Sequence, residues 1–233
     1  MASRVLVIDH DRSVLALARK CLTAAGLDVL TATGGREALA SLAMAPVDMI
    51  ILSLMLPDMD GVDVCRLIRR QSRVPLLVMA EERLEVERFL ALEVGADDYL
   101  LKPLNPRELA SRARAHLRRW RWWQEGPDGQ NLDVLRIRDL KLDLTHKRAF
   151  LREQPLHLTP LEYEILRVLC QAPGAAIPRE RLLHLATGMP VKGDARQVDV
   201  HIRALRLKLE PNPAHPTFLQ TVRGSGYRVQ AEG

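Results

Sequence analysis

Short apolar runs alternate with amphipathic segments through the first half of the chain. The apolar runs are Val5–Asp9, Leu27–Thr31, Asp48–Ser53, Val74–Met79 and Asp98–Leu101. Segments with helical spacing follow them at Ser13–Ala25, Arg36–Ala45, Val62–Arg70, Glu82–Val94 and Pro106–Arg119. Alternating strands and helices form a parallel sheet with helices on both faces, and such a sheet needs nearly continuous apolar strands. The pattern predicts an α/β domain on a doubly wound, five-stranded parallel sheet.

The second half shows a different order of elements. Short strand-like runs come first, at Val134–Ile137, Leu140–Leu144, Ala149–Leu151 and Pro155–Leu158. Thr159, Pro160 and Glu162 then form a helix start with a capping box. Helices are predicted from there to about Gln171, at Arg179–Ala186 and at Asp194–Leu209, and "FLQTVRGSGYRV" predicts a hairpin. The second half is therefore expected to be a small α+β domain.

Polar side chains collect where the strands of the first half end. Asp9 with His10, Ser53, Met79 and Lys102 each stand at or just after the end of an apolar run. Parallel sheets place their functional sites at the carboxyl ends of the strands. We therefore expect these residues to share one site.

Charge is divided unevenly between the halves. Residues 1–117 hold 15 basic and 16 acidic residues and have a net charge of −1. Residues 118–233 hold the other 19 basic and 13 acidic residues and have a net charge of +6. The second half is the better candidate for binding a polyanion. No apolar run has the ~18 residues that a membrane span needs, and the start lacks a signal-peptide core, so we expect a cytoplasmic protein. Three widely spaced cysteines are expected to be buried free thiols.

The third predicted helix of the second half has two distinct faces. Val198, Ile202, Leu205 and Leu209 form one apolar stripe suited to a core. The opposite face carries Arg196, Val200, Arg203 and Leu207, with Gln197 and Ala204 beside it. Arginine, glutamine and valine side chains suit the base edges of the DNA major groove.

The stretches "LMLPDMDG", "GADDYLLKP" and "NPRELASRARAHLRR" give residues 1–119 a close resemblance to the receiver domain of bacterial response regulators. The resemblance implies a flavodoxin-like fold in which an aspartate after the third strand is phosphorylated. It also implies a Mg²⁺ site made by that aspartate and two acids after the first strand. A hydroxyl residue at the end of the fourth strand would bind the phosphoryl oxygens, and a lysine after the fifth strand would pair with the phosphoryl group. Asp9 and Lys102 match this pattern. Ser53, His10 and Met79 replace the acceptor, the second acid and the hydroxyl residue.

These replacements predict a receiver without phosphorylation chemistry, metal or cofactor. A serine without a neighbouring base is a poor nucleophile, Mg²⁺ prefers carboxylate oxygens, and methionine donates no hydrogen bond to phosphate. Three alternatives stay open at this point: phosphorylation of Ser53 by a separate kinase, phosphoryl transfer to Asp11 or Asp58, and binding of another small ligand. The resemblance also implies dimerisation through charge pairs, with Arg88 opposite Glu108, Asp98 opposite Arg112 and Asp97 opposite Arg119.

Residues 134–230 resemble the winged-helix effector domain of the OmpR/PhoB family through "LTPLEYEILRVL", "RQVDVHIRALRLKLE" and "TVRGSGYRV". The resemblance implies double-stranded DNA as the partner, with repeated half-sites. The residues implied or suited to contact DNA are Arg196, Gln197, Val200, His201, Arg203, Arg206 and, on the wing, Arg223. For His201, packing against the domain is an equal alternative.

Residues 120–133 are predicted to be a linker that contains all three tryptophans, Trp120, Trp122 and Trp123. Packing is the favoured interpretation of these rings, and stacking on a single strand is the other. Together the features predict a non-enzymatic transcription regulator that acts as a constitutive homodimer, with RNA polymerase as a further partner. Two rivals remain: a conventional regulator with an unusual phosphoacceptor, and a receiver that serves mainly as a protein-docking module.

Overall fold

The computed structural model describes residues 2–125, 134–188, 195 and 197–231, and in the first of these ranges strands and helices alternate strictly. The elements are β1 Arg4–Ile8, α1 Arg12–Ala24, β2 Asp28–Ala32, α2 Gly35–Met44, β3 Met49–Ser53, α3 Gly61–Gln71, β4 Leu76–Ala80, α4 Glu85–Glu93, β5 Asp98–Leu101 and α5 Pro106–Glu125. The strands pair in parallel in the order β2-β1-β3-β4-β5. The predicted five-stranded, doubly wound sheet is confirmed.

Side chains alternate between the two faces of this sheet. Val5, Val7, Met49, Ile51 and other alternate residues pack with α1 and α5 in one buried cluster. Residues two apart in a strand lie on the same face. By the same alternation, Asp9 after β1 and Ser53 at the end of β3 lie on the face that α1 and α5 cover.

Local capping explains where several helices begin. The Asp11 carboxylate accepts a hydrogen bond from the Ser13 amide at 2.8 Å and starts α1. The Asp60 carboxylate accepts from the Val62 amide at 2.8 Å and starts α3. Such caps satisfy amide groups that have no partner inside the helix.

Two helices of the first unit differ from the sequence prediction by three or more residues at one end. α4 begins at Glu85 rather than Glu82, because the Leu84 amide bonds to the Glu81 carbonyl and closes a turn first. α5 continues to Glu125, beyond the predicted end at Arg119. Residues 120–125 contain no helix breaker, and the Gly-Pro pair comes only afterwards.

The second part of the chain contains two antiparallel sheets and three helices among its described residues. The elements are β6 Val134–Ile137, β7 Leu140–Asp143, β8 Arg148–Leu151, β9 Gln154–Leu156, α6 Pro160–Gln171, α7 Arg179–Thr187, α8 Gln197–Leu209, β10 Leu219–Val222 and β11 Gly226–Val229. β6 to β9 pair in sequence order, and β10 pairs with β11. The predicted capping box at Thr159 and Glu162 is present. This is the predicted winged-helix arrangement.

The chain divides into two units, residues 1–120 and 121–233. Each unit has its own apolar core, and that of the second unit is formed by the three helices together with the strands. Among the described residues, none of the helices combines the length and the apolar character that a bilayer span requires.

Candidate functional site

The ends of the central strands bring four of the predicted site residues together. Ser53 is the last residue of β3 and pairs in register with Met79 of β4, while Asp9 and Lys102 directly follow β1 and β5. Asp9, Ser53 and Met79 are all buried. The expected clustering at the carboxyl edge of the sheet is what the structure has.

An ion pair occupies the centre of this pocket. The Lys102 Nζ lies 2.5 Å from Asp9 Oδ2 and 3.3 Å from the Ser53 Oγ. The Asp9 side chain is 0% exposed, and its Oδ1 accepts a hydrogen bond from the Asp11 amide at 2.9 Å. Oδ1 therefore has a hydrogen bond from this chain, and Oδ2 has Lys102 as its ion-pair partner but no hydrogen bond among the described residues.

Ser53 and His10 both point to one backbone carbonyl. The Ser53 hydroxyl donates to the Met55 oxygen at 3.2 Å, and the His10 Nδ1 lies 3.0 Å from the same oxygen. His10 Nδ1 also lies 3.5 Å from Asp9 Oδ1. His10 thus presents an imidazole nitrogen at the position where the receiver resemblance implies the second acid of the Mg²⁺ site.

Met79 fills the fourth position with hydrocarbon and sulfur. Its side chain is fully buried and belongs to the apolar cluster that α1 and α5 cover. A flexible thioether fills irregular space well and donates no hydrogen bond. The side chain here therefore contributes to packing.

The two acids considered above as alternative phosphoacceptors, Asp11 and Asp58, both cap helices. The Asp58 carboxylate accepts hydrogen bonds from the Arg36 and Gly35 amides at 2.9 and 2.8 Å, and these bonds lower the pKa of Asp58. Bonds from the Ser13 side chain and backbone likewise lower the pKa of Asp11. Both groups are held as carboxylate caps of α2 and α1.

The cysteines and the side chains able to ligate metals are scattered over the described parts of the chain. No group of three or more His, Cys, Asp or Glu side chains is arranged there to hold a metal ion. All three cysteines are free thiols; Cys65 and Cys170 are buried, as predicted, and Cys21 is half-buried. Burial raises the pKa of the Cys65 and Cys170 thiols to about 12, so both are unreactive at neutral pH.

A network of charged groups joins β5 to α5 within one chain. Arg112 Nη1 donates to Asp98 Oδ2 at 2.6 Å, and Arg112 Nη2 donates to Glu108 Oε1 at 2.8 Å. His116 Nε2 lies 3.3 Å from the same Asp98 oxygen. Burial alone would raise the pKa of Asp98, but His116 and Arg112 together outweigh burial and lower it. Asp98 is thus held as an anion.

The other predicted dimer residues also have intrachain environments. Asp97 is buried, and its Oδ2 accepts from Arg69 Nη2 at 2.6 Å and from the Leu76 amide at 2.9 Å. Arg119 is buried as well. The Arg88 guanidinium lies 4.9 Å from the centre of the Tyr99 ring. Arg88 Nε has no hydrogen-bond partner within the part of the chain that the structure describes.

α8 carries the predicted apolar stripe, and a wider arc of the helix is buried than predicted. Val198, Ile202, Leu205 and Leu209 are all buried in the core of the second unit. Arg203 and Leu207 are exposed, as predicted, and Gln197 and Ala204 are partly exposed. Arg196 lies outside the described residues.

The predicted outward position of Val200 is wrong, because this side chain is only 8% exposed. His201 is 2% exposed, which agrees with the alternative that this side chain packs against the domain. The period of 3.6 residues gives the phase of a helix but not the width of its buried arc. α8 packs against α6, α7 and β10, and elements on several sides bury more than one stripe.

The hairpin of β10 and β11 is tied to α8. Arg206 Nε donates to the Leu219 carbonyl at 2.9 Å, and Arg206 Nη2 donates to the Thr221 hydroxyl at 2.8 Å. Arg223 is exposed in the turn of the hairpin. Arg206, which was expected at the DNA surface, therefore uses two of its donor groups in hydrogen bonds to the hairpin.

Sequence reasoning did not find three residues that join these elements. Asp199 on α8 accepts hydrogen bonds from Arg179 at the start of α7 and from Tyr227 on β11. A lone acid within a basic helix was the only signal in the sequence. The predicted roles of Trp122 and Trp123 concern side chains outside the described residues.

Comparisons with known proteins place these features in a family. The model of the response regulator receiver domain matches residues 5–114, and that of the C-terminal domain of transcriptional regulatory proteins matches residues 153–229. The chain is 38% identical to the alkaline phosphatase synthesis transcriptional regulatory protein PhoP of Bacillus subtilis, over 99% of this chain and 98% of PhoP.

Two further proteins extend the comparison. The chain is 37% identical to the DNA-binding response regulator MtrA of Mycolicibacterium paratuberculosis, over 98% of this chain and 99% of MtrA. The structure of response regulator DrrB, an OmpR/PhoB homologue from Thermotoga maritima, is 28% identical, with a TM-score of 0.50 over 99% of this chain and all of DrrB. Since the receiver and the effector model both match and the relatives align over nearly their whole length, the chain belongs to the OmpR/PhoB family of DNA-binding response regulators.

Proposed function

We propose that this regulator controls transcription without phosphorylation of its receiver. The observation that carries the proposal is the Asp9–Lys102 ion pair beside Ser53. An acyl phosphate needs a carboxylate nucleophile, and the group at the end of β3 is a hydroxyl that already donates to the Met55 carbonyl. The lysine that would meet a phosphoryl group is instead the partner of a buried carboxylate.

Incubation with a small phosphodonor and Mg²⁺, followed by intact-mass spectrometry, tests this proposal. We expect no added phosphoryl mass. A mass gain that disappears on mild alkaline treatment would mean that a carboxylate accepts phosphate and would favour the conventional rival. The variants Asp11→Asn and Asp58→Asn would then identify the acceptor, although both carboxylates are occupied as helix caps. An alkali-stable gain in cells would indicate a separate kinase acting on Ser53.

The proposed receiver is a constitutive homodimer through α4, β5 and α5. The proposed charged face consists of Arg88, Glu108 and Arg112, whereas Asp97, Asp98 and Arg119, also predicted there, are buried within the chain. Two-fold interfaces use one self-complementary surface on both partners. Arg88 and Glu108 support the proposal, because both side chains are partly exposed. Val86 and Leu90, exposed one helical turn apart on α4, add apolar area.

Sedimentation equilibrium at micromolar concentration tests the dimer. We expect Arg112→Glu to weaken it, but this change also breaks two intrachain ion pairs. Arg88→Glu is the cleaner variant, and we expect it to give monomers. Because the proposed pair is Arg88 with Glu108 of a second copy, adding Glu108→Arg should restore dimers. A parent protein that sediments as a monomer would refute this part of the proposal.

The proposed DNA surface consists of α8 and the hairpin. Arg203 is exposed on α8 and Arg223 is exposed on the turn, while Arg196 and Gln197 would lie near the helix start. α8 would enter the major groove, and the wing would contact the backbone or minor groove. Two subunits would cover half-sites ~10–11 base pairs apart. RNA polymerase is the further proposed partner, and the cytoplasm is the proposed location.

Salt titration of binding to selected and scrambled DNA tests this surface. Arg203→Ala should cost roughly 1–3 kcal/mol at the preferred site and blur its sequence preference. Arg223→Ala should weaken binding to all sequences alike and reduce the salt dependence. If neither change alters binding to the selected site at any salt concentration, the docking-module rival gains. The proposed domains are residues 1–119 and 134–230, joined by a linker of residues 120–133 whose first six residues continue α5.

A further inference from the structure

Tyr227 lies where the hairpin meets the segment before α7. It pairs with Thr221 across the hairpin and forms a bridge to Ile177, whose amide donates to the Tyr227 carbonyl at 2.8 Å. The Tyr227 amide donates back to the Ile177 carbonyl at 3.1 Å. The backbone of β11 is therefore fixed to the rest of the domain at this residue.

The phenol group extends this connection to two helices. The Tyr227 hydroxyl donates to Asp199 Oδ1 on α8 at 2.7 Å. Arg179, the first residue of α7, donates to the same Asp199 oxygen at 2.8 Å and to the Tyr227 hydroxyl at 3.2 Å. Burial raises the pKa of Tyr227 to about 12, so the phenol remains a donor at neutral pH. Three elements thus converge on two oxygen atoms.

Two arginines lie near the Tyr227 ring. The guanidinium carbons of Arg179 and Arg206 are 4.9 and 5.8 Å from the ring centre, within the range of cation–π attraction. Arg206 also bonds to Leu219 and Thr221 of β10. Both strands of the hairpin are consequently tied to α8 by side chains.

A glycine next to Tyr227 makes the close approach feasible. Gly226 has φ +126°, and a Cβ at this position would lie 2.0 Å from the Ile177 carbonyl oxygen. Only glycine combines this backbone conformation with so little space. The hairpin is therefore seated directly against the backbone before α7.

We infer that Tyr227 and Asp199 are positioning residues that hold the wing at a set distance from α8. The inference rests on the proposed DNA contacts of Arg203 and Arg223. If the wing is already in place, its contact with DNA costs no further ordering once α8 is bound. An acid on a DNA-facing helix would otherwise repel the phosphates of DNA, and the ion pair with Arg179 offsets the charge of Asp199. The pair thus serves DNA binding without touching DNA.

The variant Tyr227→Phe tests this inference, since it removes the hydroxyl and keeps the ring. We expect DNA binding in the full chain to weaken about three- to tenfold, the effect of losing one or two hydrogen bonds. Arg223→Ala should then cost at least threefold less in the Tyr227→Phe background than in the parent, because a misplaced wing contributes less. Arg203→Ala is the matched control and should cost the same in both backgrounds. Equal costs of Arg223→Ala in the two backgrounds would overturn the inference.

A measurement without DNA separates this inference from the proposed DNA surface. Hydrogen–deuterium exchange of the full chain should be faster for residues 219–229 in Tyr227→Phe, while α6 stays unchanged. Unchanged exchange of the hairpin would also overturn the inference. If exchange rises but Arg223→Ala has no effect on DNA binding by the parent, the proposed wing contact fails and the positioning of the hairpin stands.

Discussion

Replacing Lys102 by methionine should destabilise the receiver unit, because Lys102 is the cationic partner of a buried acid. The Asp9 side chain has no exposed surface, and Lys102 Nζ lies 2.5 Å from its Oδ2. Methionine has a similar length but no charge, so the variant leaves the buried Asp9 carboxylate with the Asp11 amide and the more distant His10 imidazole as its remaining polar neighbours. The destabilisation would show that the lysine has a structural role here.

The magnitude follows from the burial of the pair. Removing one partner of a buried ion pair costs about 3–5 kcal/mol. Lys102 keeps 15% of its side chain exposed and Asp9 keeps one hydrogen bond, so the lower end of about 3 kcal/mol applies. With a urea slope of about 2 kcal/mol per molar, the midpoint should fall by about 1.5 M.

Urea denaturation followed by circular dichroism is the assay, and hydrogen exchange of β1 assigns the transition to the receiver unit. The double variant Asp9→Asn with Lys102→Met is the control. It removes the uncompensated anion, so it should recover at least half of the lost free energy of unfolding. The reasoning would be refuted if Lys102→Met lowered the free energy of unfolding by less than about 0.5 kcal/mol. It would also be refuted if the double variant lost as much as Asp9→Asn and Lys102→Met lose separately, added together.

Two further changes probe the neighbouring network and the hairpin. Because His116 and a neighbouring arginine lower the pKa of Asp98, its contribution to stability is present above about pH 4 and is lost as the pH falls through the lowered value. Asp98→Asn should therefore cost about 1–3 kcal/mol at pH 6, and the gap to the parent should narrow towards pH 3 in urea titrations. Gly226→Ala should lower the melting temperature of the effector unit strongly, since its Cβ would meet the Ile177 carbonyl oxygen. Gly224→Ala, whose Cβ meets open space, is the milder control, and equal effects in differential scanning calorimetry would contradict the close-approach argument.

Much of the fold was predictable because its sequence signals are local. A strand buried on both faces must be apolar along its whole length, and β1, β3 and β4 are read directly from that rule. The capping box before α6 marks a helix start within four residues. The proposal that the receiver is not phosphorylated also starts from the sequence, because serine and histidine carry no carboxylate and methionine donates no hydrogen bond, wherever these side chains point.

Helix ends and helix faces were less predictable. α5 passes through the predicted end at Arg119, since the arginine, glutamine and glutamate that follow favour a helix and tryptophan does not stop one. Val200 was expected outside and is buried, because periodicity does not count the elements that surround a helix. Such details depend on neighbours that are distant in sequence.

The partners of charged side chains were decided by tertiary structure alone. The sequence by itself determined that Asp98 and Arg112 are charged and that Tyr227 follows a glycine-rich turn. Only the folded chain places Arg112 within 2.6 Å of Asp98, and the Tyr227 hydroxyl within 2.7 Å of Asp199. The physical reason is range: helix and strand signals act between residues a few positions apart, whereas an ion pair or hydrogen bond depends on ångström distances between segments that the whole fold brings together.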